Sequence, residues 1–175
     1  MKIFYIKKDK FLNNIKIEDL KKFSDGKVYK SNDKYLEHLC GLYLAKNVAK
    51  KFYGISNPEI EIRNFKPFFK DNNLYFSISH SANIVAVAFH NENIGFDIEQ
   101  CKTSRDYKKI LERFNIKKEN PTKEDFYKFW TLHEAGIKLG TNYVSSFTMP
   151  LTDDYILSCV SDEIIVSQFQ IIECC

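Results

Sequence analysis

The sequence has no apolar run approaching the ~20 residues that a membrane-spanning helix needs. Its opening, Met1-Lys2-Ile3-Phe4-Tyr5-Ile6-Lys7-Lys8, meets charge too soon for a signal-peptide core. A cytoplasmic protein is expected. There is no Cys-x-x-Cys, and the cysteines, Cys40, Cys101, Cys159, Cys174 and Cys175, are odd in number, so neither a disulfide framework nor a zinc ribbon is indicated. The Cys174-Cys175 pair does not sit where a prenylation signal places its cysteine. No Gly-x-Ser-x-Gly elbow accompanies Ser79-His80, and adjacent strand residues face opposite ways, which argues against a hydrolase dyad. His133-Glu134 is not a zinc-protease motif, because Ile137 stands where the second histidine would be. The lysines form no dense patch, so a net charge of +3 and a pI near 8.5 point to a phosphorylated cofactor or an acidic protein rather than nucleic acid.

What remains is ample for one core. At 175 residues and 44% hydrophobic the chain is expected to form a single compact unit over 1–175, acting as a monomer. Lys2 to Ile6 reads as a strand and Ile15 to Phe23 as a short helix. From the Ser31-Asn32-Asp33 cluster to Gly54, apolar residues recur at helical spacing. Glu59 to Arg63 and Leu74 to Ile78 read as strands around turns at Lys66-Pro67 and Asp71-Asn72-Asn73, and Ile84 to Phe89 with Ile94 to Ile98 as a hairpin. Helices follow at Tyr107 to Phe114 and Thr122 to Leu139, the latter with a capping box from Thr122 to Asp125 and a stop at Gly140. Strands are expected near Ser146 to Met149, Tyr155 to Val160 and Ile164 to Ile172. The class is α+β, with the helix-then-strands order occurring twice, over about 1–100 and 101–175.

Two acidic segments carry the chemistry. In Ile94-Gly95-Phe96-Asp97-Ile98-Glu99 the alternation puts both carboxylates on the face opposite the apolar residues, where they repel each other unless a cation lies between them. In Trp130-Thr131-Leu132-His133-Glu134-Ala135-Gly136-Ile137-Lys138, Glu134 and Lys138 share a helix face that Trp130 helps to dock. Taken singly, these are also what solvent-facing strand residues and an ordinary helix pair look like. Three converging carboxylates without an imidazole or thiolate cluster suit a hard cation, Mg²⁺ or Mn²⁺, beside a phosphate.

The order Phe65-Lys66-Pro67, Phe76-Ser77-Ile78-Ser79-His80-Ser81, Ile-Gly-x-Asp-Ile-Glu and Phe-Tyr-x-x-Trp-Thr-x-x-Glu-Ala-x-x-Lys, spanning Phe65 to Gly140, resembles the 4'-phosphopantetheinyl transferases of the surfactin-synthetase-activating type. The resemblance implies two similar α/β halves in a pseudo-twofold arrangement, each a long helix on a small antiparallel sheet. It implies transfer of the phosphopantetheine arm of coenzyme A to a serine of an apo acyl, polyketide or peptidyl carrier protein, releasing adenosine 3',5'-bisphosphate. By resemblance Asp97, Glu99 and Glu134 are metal ligands, and Lys138 contacts the phosphates. Lys66, Ser79 and His80 join Lys138 in binding the cofactor. Glu134, or a water held by it, and second to it Asp97, are candidates for the base that takes the serine proton.

The chain departs from that pattern at His133, where a lysine is usual, and at Phe65, where glycine is common. Gly136 interrupts a helix at a cost of about 1 kcal/mol relative to alanine, for which close packing or a ligand is the expected reason. Lys27, Lys30 and Lys34 lie where the resemblance has basic residues for a 3'-phosphate and are left unassigned. His133 either supplies charge to the site or points away from it. The alternative to an active transferase is a relative that binds coenzyme A or a carrier protein without turnover.

Overall fold

A computed structural model describes residues 1–64, 66–102, 106–165 and 169–174 as a mixed α+β chain. It begins with β1 (Lys2–Lys7), α1 (Lys8–Asn14), α2 (Ile17–Lys21) and the long α3 (Asn32–Tyr53). Five strands follow, β2 (Ile60–Arg63), β3 (Lys66–Phe69), β4 (Tyr75–Ser81), β5 (Ile84–His90) and β6 (Ile94–Gln100). The rest is α4 (Tyr107–Arg113), α5 (Lys123–Leu139), β7 (Ser145–Thr152), β8 (Tyr155–Ser161) and β9 (Gln170–Glu173).

The Ile-Val-Ala-Val-Ala-Phe run of β5 is apolar on both faces, so both must be covered. It lies inside a sheet of order β4-β5-β1-β9, antiparallel except where β9 joins β1. On one face Val85, Val87 and Phe89 pack with Leu39, Cys40, Leu44 and Val48 of α3. On the other, Ile84, Ala86 and Ala88 meet Ile94, Phe96 and Ile98 of β6 and Leu157 and Cys159 of β8. Those strands belong to a second, antiparallel sheet of order β6-β8-β7, whose outer side is covered by Ala135 and Leu139 of α5 against Val160. β2 and β3 form a separate ribbon.

The sequence-predicted hairpin of β5 and β6 does not form. β4 and β1 already occupy both edges of β5, so β6 turns its apolar face onto that sheet and takes β8 as its ladder partner. Lys66-Pro67, expected in a turn, begins β3, with the proline opposite Ile62 in a two-stranded ribbon that can spare a ladder donor. The helix expected at Ile15 to Phe23 is confined to α2, and α1 precedes it unforeseen. Of the strand expected over Ile164 to Ile172, only the end lies in β9, and residues 166–168 are outside the described residues, as are Phe65 and Cys175. Both long helices end as read. Gly54 and Gly140 adopt the left-handed conformation, and the Thr122/Asp125 capping box closes at the head of α5.

Gly95 sets the distance between α5 and the second sheet. A Cβ there would land on the carbonyl oxygen of Ala135 and within 2.7 Å of the Leu139 nitrogen, so only glycine lets the helix backbone rest on β6. Gly136 differs, because a Cβ there would meet only the Tyr143 ring at 3.8 Å, an ordinary contact, and close packing does not explain it. Gly95→Ala is therefore expected to destabilise the protein by about 1–3 kcal/mol or more, and Gly136→Ala to stabilise it by about 0.5–1 kcal/mol. Urea unfolding midpoints of the two variants check this, and equal shifts in the same direction would refute the packing argument.

Candidate functional site

Strand β6 is an edge strand, and its free edge is met by side chains. Ser77, Ser79 and Ser81 share one face of β4, and their hydroxyls accept from the backbone N–H groups of Phe96 (3.1 Å), Ile98 (3.2 Å) and Gln100 (3.0 Å). The two-residue period is the same on both strands, so every serine finds a donor. Each such bond contributes about 1 kcal/mol net, and leaving the buried N–H unpaired would cost about 1–3 kcal/mol. Two of the hydroxyls also donate: Ser79 Oγ to Asp97 Oδ1 at 2.7 Å and Ser81 Oγ to Glu99 Oε2 at 2.8 Å. The serines thus fix both acids as well as the strand.

Asp97 lies on the β6 face that α5 covers and is only 6% exposed. The cation that relieves its charge is internal: Lys138 Nζ donates to Asp97 Oδ1 at 2.7 Å. Among the described residues no three His, Cys, Asp or Glu side chains are grouped closely enough to hold a metal, so the expected convergence of Asp97, Glu99 and Glu134 is not drawn together. Glu134, one turn before Lys138 on α5, is half-buried, with no hydrogen-bond or ion-pair partner among the described residues. Asp97 Oδ2 is buried and also lacks a hydrogen-bond partner. An unpaired buried carboxylate oxygen is costly in isolation and suits a hard cation, so the residues present fit Mg²⁺ in donor chemistry.

Beside Lys138 opens a cleft of about 540 Å³, a volume within the range of small-molecule sites. Lys27, Lys66 and Lys138 line it against a single carboxylate, Asp25. His80 lines it too, as do His38 and Tyr29, whose rings lie 5.0 Å apart, and His38 Nε2 meets Asp25 Oδ2 at 3.0 Å. Burial would raise the Asp25 carboxyl, but the Lys27 backbone N–H and His38 outweigh it and hold its pKa below the usual value. His80 Nδ1 is buried and lies 3.2 Å from Glu37 Oε2, off the line of a hydrogen bond. Burial is the main force lowering the His80 pKa; Glu37 opposes it, and Lys34, Lys138 and Lys8 add to it.

Several residues expected in the site have partners within the chain. Ser79, expected to bind the cofactor, is 3% exposed, absent from the cleft lining and engaged by Asp97 and Ile98. Lys66 lines the cleft, yet its ammonium donates to Asn93 Oδ1, to the Ile94 carbonyl (2.7 Å) and, at 3.5 Å, to the Leu139 carbonyl. It ties the start of β6 to the C-terminus of α5, where a cation complements the helix dipole. His133 packs against the rings of Phe114 (4.9 Å) and Phe129 (5.8 Å). It borders an open groove of about 1020 Å³ whose described lining includes none of Asp97, Glu99 and Glu134. Lys27 joins the cleft that sequence alone left unassigned, whereas Glu37, Asp25, Tyr29 and His38 were missed. Glu37 carried a signal, a charge within the apolar pattern of α3. No family model matches the chain, and no curated protein matches it.

Burial lowers the Lys66 pKa from 10.5 to about 8, with Asp162 and Cys159 opposing. The unfolded chain therefore holds this proton more tightly than the folded one between about pH 8 and 10.5, and stability rises with pH across that window. Relative to Lys66→Met, the wild type should gain stability between pH 7 and pH 9.5. Paired urea titrations test this, and a pH-independent gap would show that Lys66 stays charged.

Proposed function

We propose that this chain is a 4'-phosphopantetheinyl transferase of the surfactin-synthetase-activating type, moving the phosphopantetheine arm of coenzyme A onto a serine of an apo carrier protein. The observation that carries the reading is the cleft itself, in which Lys66, His80 and Lys138 converge while Asp97 presents a buried, unpartnered oxygen beside Lys138. A cationic pocket next to a hard oxygen donor is what a pyrophosphate with its cation requires. Coenzyme A would lie along Lys27, His80 and Lys138. Asp97, Glu99 and Glu134 would hold Mg²⁺ or Mn²⁺, which when bound offsets the charge of the pyrophosphate.

In this reading the carrier serine Oγ attacks the β-phosphorus, the bond to the bridging oxygen breaks, and adenosine 3',5'-bisphosphate leaves. Glu134, or a water held by it, would take the serine proton. Lys138, which donates to Asp97 in the free chain, would contact the phosphates. We also read the molecule as two pseudo-twofold halves, α3 on β4-β5-β1 and α5 on β6-β8-β7, with the site at their junction; a helix against three antiparallel strands on each side supports this. Among the described residues no helix is long and apolar enough to cross a membrane, in keeping with substrates in the cytoplasm.

A second reading has one observation in its favour. Lys138 stands beside Asp97 and, among the described residues, no three acids are grouped, as in a relative that binds coenzyme A without turnover. Incubation with coenzyme A, Mg²⁺ and an apo carrier, followed by mass spectrometry of the carrier, separates the two: one phosphopantetheine gained supports transfer, and binding with no mass gain supports the second reading. With transfer, Asp97→Ala and Glu134→Ala should lower the rate by about 10–100-fold or more with folding intact by circular dichroism, and unchanged turnover in either would reject the metal site. Lys138→Ala should lower kcat by about 10²–10³-fold with a smaller change in coenzyme A affinity, whereas His80→Ala should act mainly on affinity. His133→Ala and His133→Lys should give the wild-type pH–rate profile, since the histidine faces the outer groove.

A further inference from the structure

Glu37 lies 6% exposed on α3, one turn before Gly41, where the helix comes so close to β4 that a Cβ would press on Ile78. Its Oε1 accepts from Lys8 Nζ of α1 and its Oε2 from Lys34 Nζ, each at 2.9 Å. Burial alone would raise the carboxyl, but these two lysines and His80 outweigh it, so Glu37 is an anion at neutral pH. Oε2 lies 3.2 Å from His80 Nδ1, a buried nitrogen with no hydrogen-bond partner. A bare imidazole nitrogen that close to a carboxylate oxygen is repelled by it, and one carrying hydrogen is attracted. In the neutral ring the single proton therefore belongs on Nδ1, which leaves Nε2 an acceptor. The charges facing the ring are Glu37 and Lys34 from α3, Lys8 from α1 and Lys138 from α5.

We propose that Glu37 is a positioning residue for His80: it holds the neutral imidazole with its proton on Nδ1, so that His80 donates to an anion in the cleft only by taking a second proton from solvent onto Nε2. Ligand binding and proton uptake are then one event. The inference rests on the cofactor reading of the cleft only for the identity of the ligand, because the tautomer is a property of the free protein.

Two measurements test it. In histidine-selective ¹⁵N spectra of the free protein at pH 7.5, with His80 assigned through His80→Gln, the ring should show Nδ1 protonated and Nε2 bare; the reverse tautomer would overturn the proposal. Calorimetric titration of coenzyme A in buffers of differing ionisation enthalpy should show the wild type taking up close to one more proton than Glu37→Gln, whose amide permits the Nε2–H tautomer. The affinity of the wild type should fall with rising pH more steeply than that of Glu37→Gln, the difference approaching about tenfold per pH unit, the slope of one linked proton. Lys66, which titrates in the same range, contributes equally to both proteins. Equal proton counts and parallel slopes, with affinity lowered at every pH, would reduce Glu37 to a structural residue. Absence of any coenzyme A binding would strike the cofactor reading, while the ¹⁵N spectrum would still decide the tautomer.

Discussion

The molecule depends on how an edge strand is satisfied. The outward N–H groups of β6 join no backbone ladder, and the hydroxyls of Ser77, Ser79 and Ser81 meet them instead. A buried edge with unpaired donors would be unstable, and one paired with a backbone strand would merge the two sheets into one. Side-chain acceptors at every second residue keep the sheets distinct yet locked in register. The register then determines which carboxylate meets which hydroxyl, so Asp97 and Glu99 are held by the same residues that hold the strand.

Much of this was legible because it is local. Gly54, Gly140 and the Thr122/Asp125 box act within a turn or two of chain, and the stops they predict are the stops observed. The alternation in Ile94 to Glu99 likewise gave the correct split of faces. What covers the acidic face was not legible, because it is α5, some forty residues away, admitted by the absence of a side chain at Gly95. The false hairpin of β5 and β6 has the same origin: nearness in sequence suggested pairing, whereas β1 and β4 had filled both edges.

The candidate site was legible as residue types and less so as assignments. Asp97 and Lys138 were singled out and do meet, and Lys66 and His80 do line one cleft. Ser79, read as a cofactor contact, donates to Asp97 within the chain. Lys66 was read as a cofactor contact and is bonded to Asn93 and two carbonyls, a capping role that leaves no trace in a sequence. Glu37 was hidden in an apolar helix pattern, where a carboxylate is tolerated only because Lys8, Lys34 and His80 surround it.

The parallel pairing of β1 with β9 bears on the route by which this chain acquires its structure. Ile3 and Ile171 are register partners, so one edge of the first sheet stays exposed until two widely separated stretches of chain find each other. Closing so large a loop is slow, and an exposed apolar edge recruits other chains in the interval. Lys2 and Lys7, at the two ends of β1, put charge beside an otherwise apolar segment and discourage that recruitment while the edge waits.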